Sequence, residues 1–93
     1  MTSETFDTVF EALADTPIEA ANMTARADLL LTIREHIRAW NVPQDSAAAR
    51  LGLTRPRLND LMRGKLDKFS LDALVNIASA AGLVLRIELV KAA

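Results

Sequence analysis

The run Gln44 to Gly64, QDSAAARLGLTRPRLNDLMRG, is the part of this sequence whose residue types and spacing suit a defined chemistry. Read as two short helices joined at Gly52, it turns Leu51, Leu53, Leu58 and Leu61 inward. Arg55, Pro56, Arg57, Asn59, Asp60 and Arg63 are left outward on the second helix. A helix face rich in long donors suits hydrogen bonding to base edges and phosphates. One guanidinium can bridge O6 and N7 of guanine, while other cations neutralise the backbone. Ala48 is small where the two helices cross, and Gly52 supplies a positive φ and room for a close crossing. Such a pair is a helix-turn-helix, whose second helix enters the major groove with its N-terminal residues at the bases. On that geometry Thr54, Arg55, Pro56, Asn59 and Asp60 are the candidate base readers. Gln44, Arg57, Arg63, Lys65 and Lys68 stand where phosphate contacts are expected. A helical hairpin with small residues can also be plain structure; the arginine-rich outer face is what favours binding.

Charge is distributed unevenly around a net value of −1. Residues 1–22 hold Glu4, Asp7, Glu11, Asp15 and Glu19 and no Lys or Arg, whereas all 11 basic residues follow. An acidic head on a basic body suggests two surfaces with different partners, against the plainer reading of solvated charge. The head also carries Phe6, Val9, Phe10 and Leu13, spaced as one face of a short helix. That face either caps the protein's own core or meets another protein.

Other chemistry is poorly supported. The chain has no cysteine and a single histidine, His36, so neither a thiolate site nor a histidine cluster can form. His36 reads as a surface side chain, and Asp28, Glu35 and Arg38 as helix-surface charges. Trp40 reads as a core anchor rather than a base-stacking group. No glycine-rich phosphate loop, nucleophile motif or carboxylate pair is present, so the expectation is no catalytic residue, no metal and no cofactor. The opening residues lack a basic, apolar leader and no apolar run could span a bilayer, which predicts a cytoplasmic protein without membrane or small-molecule partners.

The elements needed to position these residues are helical. The 93 residues are 51% hydrophobic, enough for one modest core. Thr16-Pro17 opens a long helix to Trp40, with Ala20, Met23, Ala27, Leu30, Ile33, Ile37 and Trp40 as its apolar stripe. Asn41-Val42-Pro43 stops it. A second helix spans Gln44 to Leu51. A third, capped by Thr54, runs to Arg63 before Gly64. A fourth, capped by Ser70, runs to Gly82. With a short helical turn around Phe6–Leu13 this makes an all-α bundle of about five helices. Leu83 to Val90 alternates strictly, placing Leu83, Leu85, Ile87 and Leu89 on one face of a single strand. A lone strand has unpaired edges, so antiparallel pairing with a second copy is expected. The organisation is thus one domain over 1–93: an acidic extension at 1–15, a DNA-binding core at 16–82 with the helix-turn-helix at 44–64, and a dimerisation strand at 83–91.

From about Thr16 to Val90 the chain resembles the HigA-type antitoxins within the wider Xre/Cro-like regulators. The likeness rests on PIEAANMTARADLLLTIREHIRAW, on the helix-turn-helix, and on RGKLDKFSLDALVNIASAAGL, where RGK followed by FSLDALV is the most specific part. The resemblance implies a homodimer that binds a palindromic operator, represses its own operon and neutralises a RelE/HigB-like, mRNA-cleaving toxin. Phe6, Val9, Phe10, Glu11, Leu13 and Asp15 are the candidate toxin-binding residues. The alternative is a stand-alone Xre-family repressor with no toxin partner. Two positions depart from the family pattern. Pro43 stands where a Thr or Ser cap is usual, which predicts a less regular start to the second helix. Arg55 stands where Gln is frequent, which moves base preference from adenine toward guanine.

Overall fold

The computed structural model describes residues 17–91. Four α-helices follow one another: α1 (Pro17–Trp40), α2 (Gln44–Leu51), α3 (Arg55–Met62) and α4 (Leu71–Ala80), with a 3-10 turn (Leu66–Lys68) between α3 and α4. The short helix expected around Phe6–Leu13, and the Thr16 cap, lie outside the described residues. Helix α1 packs chiefly along α4, while α2 packs on α3. Leu30, Ile33 and Ile37 of α1 meet Ala47, Ala48 and Leu51 of α2, Leu58 and Leu61 of α3, and Leu74, Ile77 and Ala78 of α4 in one continuous core. Phe69, 1% exposed, is the largest fully buried side chain and fills the space beneath the 3-10 turn.

Among the described residues, the apolar stripe of α1 is buried only in its second half. Burial begins at Leu30, whereas Ala20 and Ala27 are exposed and Met23 is 48% exposed. The other described helices lie against the C-terminal half, so periodicity alone overstated the buried length.

Helix ends are set by local chemistry. At Gly52 the backbone is left-handed (φ 70°), its N–H donates to the Ala49 carbonyl at 3.2 Å, and Leu53 N–H donates to Ala48 at 2.9 Å. This is the paired bonding of a Schellman motif. Gly64 (φ 74°) repeats it, with Gly64 N–H on Leu61 at 3.0 Å and Lys65 N–H on Asp60 at 3.1 Å. Helix α3 accordingly ends at Met62, with Arg63 as its cap. Asn41 (φ 54°) takes the left-handed position after α1, which an asparagine tolerates better than most residues.

Two sequence expectations change here. Helix α2 starts regularly despite Pro43: the residue makes no side-chain cap bond, but its φ of −61° suits a helix entry and its carbonyl accepts from Ala47 N–H at 3.0 Å. The strand, in turn, is not formed within the single chain. Residues 83–91 have no ladder partner among the described residues, and an isolated extended segment cannot satisfy its backbone as a sheet. Leu83 packs against the core, while Leu85 (41% exposed), Ile87 (76%) and Leu89 (92%) are open to solvent.

Candidate nucleic-acid interface

Helix α3 presents its polar side as expected. Leu58 (1% exposed) and Leu61 (0%) lock it inward, leaving Arg55, Pro56, Asn59 and Arg63 exposed to solvent. Thr54 caps the helix: its Oγ1 accepts from Arg57 N–H at 3.2 Å. Pro56 falls in the first turn, where a missing N–H leaves no intrahelical bond unmade. Ala48 is 4% exposed at the crossing of α2 and α3, as its size implied. The second reason given for Gly52, a close crossing, does not hold. A Cβ built there would meet nothing within 4 Å, so its left-handed backbone alone requires glycine.

The arginines divide by environment. Arg55, at the first position of α3, reaches back to the start of α2. Its Nη1 donates to Asp45 Oδ1 at 2.5 Å and its Nη2 to Gln44 Oε1 at 3.1 Å. These two candidate contacts, Gln44 and Arg55, are thereby joined into one unit. Arg57 is half-buried. Its guanidinium lies over the Phe69 ring at 4.0 Å, and Nη1 donates to the Lys68 carbonyl at 2.8 Å. Asp60 is partly covered and pairs with Lys65 at 3.6 Å. Arg63 and Lys68 are exposed along the same edge, with Lys65 half-buried beside them.

Sequence reasoning missed the α1 arginines that support this edge. Arg26 Nη1 donates to the carbonyls of Leu66 (3.2 Å) and Phe69 (3.3 Å). Arg34 Nη1 lies 3.0 Å from where a Cβ on Gly64 would sit, and Arg34 Nε is buried with no hydrogen-bond partner. Basic residues at i and i+8 on one side of a helix were the available signal. Their destination, the backbone of residues 64–69, is distant in sequence.

His36 is a correction. It is half-buried, with Nε2 at 3.1 Å from the Ala81 carbonyl. A carbonyl only accepts, so Nε2 carries the proton and ties α1 to the end of α4. Trp40 packs at the core edge with one face covered by Arg50 at 3.8 Å, and His36 meets its ring at 71°. Among the described residues no group of three or more His, Cys, Asp or Glu could hold a metal ion, and no helix is long and apolar enough to cross a membrane.

A capped, arginine-bearing α3 set across α2 by a Schellman turn is the geometry of a helix-turn-helix, and a helix-turn-helix domain family matches residues 12–90. The chain belongs to that family. Its members of this Xre/Cro-like type bind DNA and are generally not enzymes. A comparison with curated proteins finds no match.

Proposed function

We propose that this helix-turn-helix protein is a sequence-specific transcriptional repressor that binds a palindromic operator as a two-fold dimer. The exposed face of α3 carries the reading: Arg55, Pro56 and Asn59 stand at or near its N-terminal end with their backbone locked by Thr54, Leu58 and Leu61. Thr54, Arg55, Pro56, Asn59 and Asp60 meet base edges. Gln44, Arg63, Lys65 and Lys68 meet phosphates, and Arg57 keeps donors for the backbone beyond the one given to Lys68. The dimer reading is supported by residues 83–91. Val84, Ile87, Leu89 and Val90 are 76–92% exposed, large apolar side chains left in water within one short segment. Pairing with a second copy would satisfy the backbone and cover Leu85, Ile87 and Leu89, beyond Leu83.

Titrations on duplexes enriched from a random pool, and on the unselected pool, test the DNA reading. Arg55→Ala should cost about 1–3 kcal/mol on the enriched duplex and little on the pool. Arg63→Ala should weaken both alike and flatten the salt dependence. Equal losses on both DNAs for Arg55→Ala would refute base reading by Arg55.

A second reading, neutralisation of a RelE/HigB-like toxin by a HigA-type antitoxin, is favoured by one feature. The first 22 residues carry 5 carboxylates and no basic side chain, beside Phe6, Val9, Phe10 and Leu13. An RNA-cleaving partner presents a basic face, which Glu11 and Asp15 complement while the apolar set anchors. Deleting residues 1–15 separates the readings. The shortened protein should still fold and bind DNA, yet lose protection of cells that express the neighbouring toxin.

A further inference from the structure

The clasp at the N-terminus of α3 has a member that no contact with DNA accounts for. Asp45 lies in the first turn of α2 and takes Arg55 Nη1 on its Oδ1, beside the Gln44 bond to Nη2. Both partners are exposed, 54% for the Arg55 side chain and 78% for Asp45. An ion pair so open to water adds little to stability. A carboxylate at the edge of a surface that must approach a polyanion is also unfavourable to binding, unless it changes which DNA is bound.

We propose that Asp45 is a specificity-determining positioning residue: it holds the Arg55 guanidinium away from phosphates and presents its remaining donors to a base. This rests on the DNA-binding reading above. On an arbitrary sequence, the most available partner for Arg55 is a backbone phosphate. A phosphate within reach of Arg55 is also brought up to the Asp45 carboxylate, and the repulsion between the two negative charges offsets much of what the contact gains. A guanine is different. Arg55 has five N–H donors, and one hydrogen given to each of Asp45 and Gln44 leaves others for O6 and N7. The clasp and the base contact can therefore coexist. As water leaves the interface, the pair with Asp45 strengthens and fixes the guanidinium plane. Gln44 supplies a neutral second point that prevents rotation about the Asp45 bond. The plainer role for Asp45, favourable charge at the α2 N-terminus, affects folding and not the choice between DNAs.

The test compares wild type with Asp45→Asn, which preserves size and an acceptor, and with Asp45→Ser, which preserves a good helix start. Each is titrated from about 0.05 to 0.5 M salt on an enriched duplex and on the unselected pool, a range over which each phosphate contact is resolvable. Freeing Arg55 for one phosphate should steepen the salt slope on the pool by about 0.9, so that pool affinity gains roughly a further eightfold over wild type between about 0.5 and 0.05 M salt. Affinity for the enriched duplex should rise less, so discrimination narrows. In an Arg55→Ala background Asp45→Asn should leave discrimination unchanged, because no guanidinium remains to be released. Unchanged discrimination in both Asp45 variants, or the same narrowing without Arg55, would overturn the assignment. Wild type that binds neither DNA at low salt would instead overturn the DNA-binding reading itself.

Discussion

The Arg57 guanidinium stacks over the buried Phe69 ring at 4.0 Å while its Nη1 holds the Lys68 carbonyl at 2.8 Å. One side chain of α3 thus fixes both the ring that fills the core beneath the 3-10 turn and the backbone of the turn itself. Arg57→Ala should lower stability by about 1 kcal/mol, a loss of roughly 4–8 °C in Tm for a domain of this size. Arg57→Lys should recover less than half of it, since an ammonium cannot stack as a plane. Thermal unfolding of both variants without DNA checks this. A neutral Arg57→Ala would restrict the residue to phosphate contact.

Gly52 and Gly64 share a backbone conformation but not a neighbourhood. An alanine at Gly52 meets nothing within 4 Å, so Gly52→Ala should cost only the left-handed backbone, about 1–2 kcal/mol. Gly64→Ala must also displace Arg34 Nη1, 3.0 Å from the new methyl group, from a partly buried position. Urea denaturation should place Gly64→Ala roughly 1 kcal/mol or more below Gly52→Ala. Equal losses would mean that Arg34 moves aside freely.

Thr54 and Ser70 cap α3 and α4 through bonds to Arg57 N–H (3.2 Å) and Ala73 N–H (3.1 Å). Each alanine substitution should cost about 1 kcal/mol. Helices α3 and α4 are distinct elements with separate caps, so the double variant should be additive within about 0.5 kcal/mol. DNA affinity should fall only for Thr54→Ala, because Ser70 lies on α4 rather than on the helix that meets the bases.

The exposed segment 83–91 should decide the oligomeric state. Ile87→Asp with Leu89→Asp puts charge at positions 76% and 92% exposed, so the core should tolerate both. Sedimentation should show a dimer for wild type and a monomer for the double variant, with weaker binding to a palindromic duplex. A dimer that survives both charges would place the interface elsewhere.

How much was legible in advance follows from the range of each interaction. Trp40, Gln44 and Leu51 were readable as helix ends because helix starts and stops are decided within a few residues, by caps, prolines and glycines. The inward leucines of α2 and α3 were readable because helical period fixes their face, and Leu51, Leu58 and Leu61 are buried. Side-chain destinations were not. Arg55 and Arg57 look alike in sequence, yet one turns to Asp45 and Gln44 and the other to Phe69 and Lys68. Arg26 reaches across 40 and 43 residues of sequence to the carbonyls of Leu66 and Phe69, at the 3-10 turn. His36 looked solvated until α4 brought the Ala81 carbonyl to it. The alternation of Leu83 to Val90 marks a segment able to pair, but a strand exists only when a second edge is present. Local conformation is thus set by residues adjacent in the chain, whereas the partners of a long polar side chain depend on which distant backbone the packing brings within hydrogen-bond reach.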